Sequence, residues 1–387
     1  MRAVGGDRNP AAAEGFGAPD APGASGAADA SGVVGANGVY GGTDAAGALR
    51  TPGAPGTLPA PERVFARSGA GVGESFVCGI DFGGTKIAVA TARPDGTVLA
   101  GERLETDARE GAEQAVRRAM HAARDLVART AADTGGHCSA VGAVSPGIVL
   151  PDRVLLAPNV PGWQDLALAA TLAEGFDLDP ERVAVGNDGK AAALAESRWG
   201  ALRGADPAIL LTLGTGIAAA IVLGGRVLAG ANGAAGEIGY LLRDRADVGF
   251  GAGRAPLEEY TAGSGLGRRG GELLGHEVDA ATLFTDPDPR VRALVDEALD
   301  ELAVHIANLA ITIDAERIAI TGGLMRSAPR VLAALRARIR TAVPFPPVVV
   351  PARFLQDASL RGALSLATEL AGLPTATAGA TSKAGRP

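Results

Sequence analysis

Short apolar runs separated by glycine-rich turns begin the patterned part of the chain. Phe76–Asp81 and Lys86–Thr91 are two such runs on either side of a polar turn, and Thr97–Thr106 follows as a third. Apolar residues then recur at helical spacing over Glu110–Ala132, and Ala140–Val144 is again a short apolar run. The pattern predicts strand, strand, strand, helix and strand, in that order.

A similar pattern recurs in the second half of the chain. It predicts three strands, a long helix, a strand, a helix, a short strand and a final helix, over Ala208–Leu213, Ile217–Leu223, Arg226–Ala229, Arg290–Ile313, Arg317–Thr321, Arg326–Thr341, Val348–Val350 and Ser359–Ala371. Each half begins with two strands around a glycine turn. This repetition predicts a duplicated α/β domain with a cleft between the two copies.

Both ends of the chain lack such patterns. Gly, Ala and Pro make up 36 of the first 60 residues, so this segment has few side chains that could build a core. A chain of this composition buries too little apolar surface to offset its ordering entropy. We therefore expect residues 1–75 and the tail at 374–387 to be disordered. We also expect that deleting residues 1–75 leaves melting temperature and activity nearly unchanged.

Composition and charge argue against several classes of protein. The formal net charge is −7 and no cluster of Lys or Arg occurs, which argues against nucleic acid as a partner. Two cysteines and four histidines are too few for a disulfide framework or a His-rich metal site. No secretory signal follows Met1, and a glycine turn interrupts the uncharged stretch Ala208–Gly225. We expect two strands there rather than a membrane span, and a soluble cytoplasmic protein.

The first glycine turn is a candidate phosphate-binding site. Its glycines permit close approach of the backbone to an anion, its hydroxyl and ammonium groups add donors, and its carboxylate could hold Mg²⁺ through water. The residues are Asp81, Gly83, Gly84, Thr85 and Lys86. From spacing alone, an ordinary hairpin turn with a solvated lysine explains this segment equally well.

Two further glycine segments are weaker candidates when each is taken alone. Gly214-Thr215-Gly216 lies between two predicted strands of the second half and could hold phosphate from the opposite wall of the cleft. The segment Thr321-Gly322-Gly323 ends a predicted strand, and its glycines would let an adenine ring lie against the backbone. A plain turn remains the alternative for both segments.

Asn187-Asp188 is a candidate catalytic segment. The apolar strand Val183–Val185 precedes it and a predicted helix, Ala191–Ser197, follows it. The carboxylate of Asp188 could act as a general base for a hydroxyl nucleophile. Its position beside the start of a helix is equally typical of a capping residue.

Polar residues in glycine-rich loops are candidates for binding sugar hydroxyl groups. Glu237 and Tyr240 lie in one such loop, and Glu258 follows a few residues later. Asn159 lies in a separate segment that ends in Trp163. Carboxylates are suited to sugar hydroxyl groups because their two oxygens accept hydrogen bonds in pairs, and Asn159 adds an amide that both accepts and donates. Surface acids are usually only solvated, so none of these residues is specific by itself.

Taken in order, these motifs resemble those of the ROK family, the sugar kinases and sugar-responsive repressors of the actin-like ATPase superfamily. The resemblance extends from about Val77 to Ala371. The two glycine turns resemble the family's phosphate motifs. Asn187-Asp188, followed by Ala191–Glu196, resembles the family's catalytic segment. Ala235–Tyr240 resembles its sugar-binding motif, and Thr321–Gly323 resembles its adenosine motif.

This resemblance implies two actin-like, ribonuclease H-like α/β domains flanking a cleft, at 76–187 and 188–357, with a helix at 358–373 packed on the first. It implies an ATP-dependent hexose kinase that binds ATP and Mg²⁺ between the glycine turns. Asp188 would be the general base, and Gly322 and Gly323 would contact the nucleotide. The residues implied to bind sugar are Asn159, Asn187, Asp188, Glu237, Tyr240 and Glu258. Glucose is the expected acceptor, and the protein a glucokinase, because glucose is the commonest acceptor in the family. N-acetylmannosamine, fructose and other hexoses stay open, and a homodimer is one option.

The chain departs from the family pattern at the usual zinc site. Tyr240 stands where the family has a zinc-binding histidine, and no cysteine follows Cys138. Zinc therefore cannot bind in the family's way, although Glu258 keeps its place in the pattern. Two alternatives remain: a sugar-responsive repressor, for which residues 1–75 offer no helix-turn-helix pattern, and a sugar-binding protein without catalysis.

Overall fold

The computed structural model describes residues 75–150, 153–155 and 161–372. The segments predicted to be disordered, apart from Ser75, lie outside these described residues, as does Asn159. The elements of the first half, in chain order, are β1 (Phe76–Phe82), β2 (Lys86–Ala92), β3 (Val98–Glu105), α1 (Ala112–Thr134), β4 (Cys138–Ser145), β5 (Ile148–Val149), β6 (Val154–Leu155), α2 (Leu168–Phe176), β7 (Val183–Asn187) and α3 (Asp188–Trp199).

The second half continues with the same alternation of strands and helices. Its elements are β8 (Ala208–Leu213), β9 (Ile217–Leu223), β10 (Arg226–Val227), α4 (Pro256–Thr261), α5 (Gly263–Leu274), α6 (Ala280–Thr285), α7 (Pro289–Ile313), β11 (Arg317–Thr321), α8 (Ala328–Ala342), β12 (Val348–Pro351) and α9 (Ala358–Leu370). The strand predicted over Arg226–Ala229 is shorter in the structure, because only its first two residues pair with β9.

Two five-stranded sheets have the same topology. The first has the order β3-β2-β1-β4-β7 and the second the order β10-β9-β8-β11-β12. In each sheet the first three strands of the chain pair antiparallel and the remaining strands add in parallel. This confirms the predicted α/β fold with two similar halves. The uncharged stretch Ala208–Gly225 forms β8 and β9, and no helix in the described part of the chain is long and apolar enough to cross a bilayer.

The core of the first half covers both faces of its sheet. Helices α1 and α2 pack on one face, against residues such as Cys78 and Ile80. Helix α9, the last helix of the described chain, packs on the other face, against Val77 and its neighbours. A Cβ atom at Gly142 of β4 would lie 1.9 Å from the carbonyl oxygen of Ala363 in α9. Glycine at this position therefore allows the helix backbone to lie directly on the sheet.

The core of the second half is built on the long helix α7. Its buried residues, with those of α8, pack on strands β8 and β11. Helix α3 contacts α9 and also strand β9 of the second sheet, so it lies between the two halves. Glu196 near its end is fully buried, and its carboxylate accepts hydrogen bonds from Ala201 N at 2.6 Å and Phe354 N at 2.7 Å. This side chain therefore joins α3 to the segment that leads into α9.

Candidate active site

The parallel strands of both sheets end where the candidate motifs begin. Asp81 and Asn187 lie at the carboxyl ends of β1 and β7, and Gly214 and Gly322 directly follow β8 and β11. Ligands of open α/β sheets bind at this edge, because the strand ends and the following loops form a crevice there. The fold therefore places all four motifs at the edges where a shared ligand would bind.

The first glycine turn is tightly held by its own backbone and by the end of β3. Gly83 N donates to Lys86 O at 3.1 Å, while Gly83 O accepts from Thr106 Oγ1 at 2.7 Å. A Cβ atom on Gly83 would lie 2.6 Å from Lys86 O, so a side chain would open the turn. Lys86 is mostly exposed and lies 3.8 Å from Glu105. Its ammonium group therefore faces a carboxylate of its own sheet.

The second glycine turn contacts the start of helix α5. Gly214 O accepts from Gly263 N at 2.8 Å, and Thr215 O accepts from the backbone N and hydroxyl of Ser264 at 3.1 and 2.7 Å. A Cβ atom on Gly216 would lie 2.4 Å from Glu258 Oε2. The turn is thus packed between α5 and a predicted sugar-binding acid, with no room for a side chain at Gly216.

At the start of α3, Asn187 is the capping residue and Asp188 is the candidate base. Asn187 has extended backbone angles, and its Oδ1 accepts from Lys190 N at 2.9 Å, so Asn187 is the N-cap. Its Nδ2 donates to Gly147 O at 2.8 Å. The alternative of Asp188 as the cap is therefore wrong, because the residue before it makes the capping bond. Asp188 is the first helical residue, and its Oδ1 accepts from Gly189 N at 2.7 Å.

Glu237 and Glu258, the two acids predicted to bind sugar, lie close to the start of α3 and to the second glycine turn. Glu237 Oε1 is 3.7 Å from Lys190 Nζ, and Glu258 Oε2 accepts from Ile217 N at 3.0 Å. Gly236 has a φ of 85°, and a Cβ atom there would lie 1.7 Å from Ala219 O. Glycine is therefore required for the turn that presents Glu237.

A cavity of about 510 Å³ brings most of the candidate residues together. Its predicted lining residues are Asn187, Asp188, Gly214, Thr215, Gly216, Glu237, Tyr240, Glu258 and Gly322. The first-turn residues Asp81, Gly83, Gly84, Thr85 and Lys86 do not line this cavity, and neither does Gly323. The structure therefore brings together the candidate base Asp188, the second glycine turn and the predicted sugar-binding residues Glu237, Tyr240 and Glu258.

Several lining residues were missed by the sequence reasoning. Pro146 and Gly147 follow β4, and Gln356 and Ser359 lie at the start of α9. The position after a parallel strand is a signal that could have identified Pro146 and Gly147. Trp163, noted beside Asn159, is instead a core residue, since it is buried and its Nε1 donates to Ser145 Oγ at 2.7 Å.

Burial, and after it the charge of a neighbouring carboxylate, raises the pKa values of Asp81, Asp188 and Glu258. Burial raises the pKa of Asp81 to about 7, the charge of Asp188 adds to this rise, and Arg103 opposes it. Burial also raises the pKa values of Asp188 and Glu258, and the charge of Glu237 contributes to both. Clustered acids of this kind favour ligands that bring hydroxyl donors or positive charge.

Zinc does not fit the residues at the place of the family's zinc motif. Residues 236–259, which include the place of the family's zinc motif, contain neither Cys nor His. Within residues 75–150, 153–155 and 161–372, no group of three or more His, Cys, Asp or Glu side chains is arranged to hold a metal. In the structure, packing and hydrogen bonds hold the segment between Glu237 and Glu258. Tyr240 packs edge-on against Phe250 at 5.4 Å, and Leu257 is fully buried.

We expect purified protein to carry no stoichiometric zinc, because a structural zinc site needs about four ligands. Elemental analysis of protein prepared in metal-free buffer measures this directly. Chelator treatment followed by Mg²⁺ is expected to restore full activity. One equivalent of tightly bound zinc per chain would contradict the expectation.

Comparison with known proteins agrees with this fold. The ROK family profile matches residues 77–370. An N-acetylmannosamine kinase of Shigella boydii serotype 18 is 32% identical over 297 residues, covering 74% of this chain and 97% of that protein. The crystal structure of the ROK hexokinase from Thermus thermophilus has a TM-score of 0.65 and 31% identity, covering 75% of this chain and 97% of that chain.

A third similar protein is a ROK family glucokinase from Streptomyces griseus, solved in complex with glucose and AMPPNP. It is 27% identical with a TM-score of 0.58, and the match covers 76% of this chain and 99% of that chain. The family profile spans most of the chain, and the kinase from Shigella boydii matches over nearly its whole length. The chain therefore belongs to the ROK family.

Proposed function

We propose that this ROK-family sugar kinase transfers the γ-phosphoryl group of ATP to a hydroxyl group of a hexose or an N-acetylhexosamine, with Asp188 as the general base. The observation that carries the proposal is the shared cavity. Asp188, the second glycine turn and the sugar-loop acids Glu237 and Glu258 all line it. A base, a phosphate-binding turn and hydroxyl acceptors are the parts that phosphoryl transfer to a sugar requires.

Asp188 accepts the proton of the attacking hydroxyl group in this proposal. The hydrogen bond from Gly189 N and the charge of Lys190 favour the ionised carboxylate, while burial and Glu237 favour the protonated form. The balance is a raised pKa, with burial as the largest cause. A carboxylate with a raised pKa is a stronger base, and a base is most effective when its pKa lies near the working pH.

The nucleotide would lie along the strand ends of both sheets. Gly322 has a φ of 100°, and a Cβ atom there would lie 2.2 Å from Leu213 O, so the backbone passes close to the second turn. We assign the phosphates to Gly214–Gly216 and the first turn, and the adenosine to Gly322 and Gly323. The carboxylate oxygens of Asp81 are hard ligands, and Asp81 lies at the carboxyl end of β1 beside the first turn, so Asp81 would hold Mg²⁺ through water. Bound Mg²⁺ supplies positive charge that neutralises the phosphate oxygens.

The sugar would lie against Glu237, Tyr240 and Glu258. The side-chain amide of Asn187 already bonds Lys190 N and Gly147 O, so Asn187 orders the site through these contacts. We place N-acetylmannosamine ahead of glucose as the acceptor, because the relative of that name is 32% identical whereas the glucokinase is 27% identical. Fructose remains a third candidate acceptor.

A coupled assay of ADP release over these sugars tests the proposal. The sugars tested are N-acetylmannosamine, glucose, mannose, fructose and N-acetylglucosamine. We expect ATP-dependent turnover with at least one of them. The same protein with Asp188→Asn serves as the inactive control. Sugar binding in calorimetry without any ADP release would contradict a kinase and favour a sugar-binding protein without catalysis.

We expect kcat/KM to rise with pH through a midpoint above the ordinary range of an aspartate. The base works only when ionised, and the raised pKa of Asp188 moves its ionisation to higher pH. Glu237→Gln removes a negative charge that raises this pKa, so the acid limb should shift to lower pH. Profiles of kcat/KM against pH for both proteins measure the shift. An acid limb that moves to higher pH in Glu237→Gln would contradict the assignment of Asp188.

A further inference from the structure

The loop between Tyr240 and Glu258 has to be ordered without a metal. Residues 241–255, here called the sugar loop segment, contain one short 3₁₀ turn, Gly249–Ala252, and otherwise neither helix nor strand. Leu242, Val248 and Phe250 are mostly exposed, so the segment contributes little to the core. The proposed sugar-binding residues Tyr240 and Glu258 lie just before and just after this segment. The order of the segment therefore affects the geometry of the sugar site.

Tyr260 is held between two arginines at the end of this segment. The guanidinium carbon of Arg243 is 4.2 Å from the centre of the Tyr260 ring, and that of Arg269 is 3.7 Å from it. One face of the ring has no room for two guanidinium groups this close to its centre, so we infer that the two arginines lie on opposite faces and sandwich the ring. The Nε of Arg243 is buried, and within the described residues it has no hydrogen-bond partner. The contacts of this charge are therefore the ring face and the carboxylate of Asp247, whose Oδ1 lies 3.5 Å from Nη2.

The arginine sandwich is anchored to the core of the second half. The Tyr260 hydroxyl donates to Glu297 of α7, and Arg269 lies 3.3 Å from the same carboxylate. Arg269 also donates to Tyr260 O at 2.9 Å. On the other side, Asp247 accepts from Arg243 N at 2.8 Å. These contacts connect the sugar loop segment to the long helix α7.

The positions of these residues link the sandwich to the sugar site. Arg243 follows Tyr240 by three residues, and Tyr260 follows Glu258 by two. We propose that Tyr260 and Arg243 are positioning residues that order the sugar site in place of the missing metal centre. Neither side chain lines the cavity, so both act through the residues beside them. The inference rests on the proposed function, because it concerns the affinity for the sugar.

Substitutions that remove the ring or the charge test this proposal. Tyr260→Leu and Arg243→Met are expected to raise KM for the sugar about tenfold, the range of a partly desolvated cation–π contact, and to leave KM for ATP within about twofold. Tyr260→Phe keeps the sandwich and should stay within about threefold of the natural protein. Arg290→Gln, at an exposed ion pair on the same helix as Glu297, is the matched control and should change neither constant.

Hydrogen exchange of residues 241–255 gives a readout that does not require activity. We expect faster exchange there in Tyr260→Leu and Arg243→Met than in Tyr260→Phe. Unchanged sugar KM and unchanged exchange would overturn the proposal, and so would equal rises in both KM values, since those indicate general damage. A natural protein that phosphorylates no sugar would instead refute the proposed function, while the exchange comparison still decides the role of the sandwich.

Discussion

Asp188→Asn is expected to lower kcat by about 10²–10⁴-fold, the usual contribution of a general base. Asparagine keeps the size of the side chain but cannot accept a proton. The capping bond of α3 belongs to Asn187, so the substitution leaves the helix start in place. We therefore expect the fold and the sugar affinity to be retained, which calorimetry and thermal melting measure beside steady-state kinetics.

Asp314→Asn is a suitable control for this experiment. Asp314 ends α7 in the left-handed region with a φ of 53°, a conformation that asparagine also adopts readily. Its kcat should match that of the natural protein. If Asp188→Asn retains more than roughly a third of kcat, far above the range for a lost base, the assignment of Asp188 is wrong.

Glu196→Ala is expected to lower the free energy of unfolding by about 2–5 kcal/mol, since two backbone donors lose their acceptor. Both donors, Ala201 N and Phe354 N, bond a carboxylate that has no exposed surface. Water cannot replace this acceptor without opening the contact between α3 and the segment before α9. Urea unfolding followed by circular dichroism measures the change.

An exposed glutamate gives the reference for this measurement. Glu181→Ala on the surface should change the free energy of unfolding by no more than about 0.5 kcal/mol. A loss for Glu196→Ala that is equally small would show that the buried carboxylate contributes nothing net. In that case its two hydrogen bonds only offset the cost of burying the group.

The positions of most strands and of the glycine turns could be predicted from the sequence, but the two-residue strands β5 and β6 could not. Apolar runs such as Phe76–Asp81 end at a polar residue or a glycine, and these local signals need no tertiary information. The roles of Asn187 and Asp188 could not be separated in this way. Both residue types cap helices, and the extended backbone of Asn187, which decides between them, is known only from the folded chain.

Contacts between distant parts of the chain explain what the sequence could not predict. The pairing of Glu196 with Phe354 N joins residues that are 158 positions apart. Tyr260 reads as an ordinary aromatic residue, and only the fold brings Arg243, Arg269 and Glu297 to it. Lys86 lies beside Glu105 because β2 and β3 pair in one register. None of these contacts leaves a periodic signal.

The place of α9 in the first sheet has a consequence for how the protein is made. Val77 of β1, the first strand, and Leu364 of α9 belong to one apolar cluster. The strands of the first sheet therefore leave the ribosome before α9 does, and one alanine-rich face of the sheet stays exposed to solvent. At about 5–20 residues per second, this exposure lasts roughly 10 s or longer. A message cut short before the codon of Ala358 would yield a nascent half that cannot close its core. Such a fragment is a target for chaperones and proteases rather than a smaller working domain.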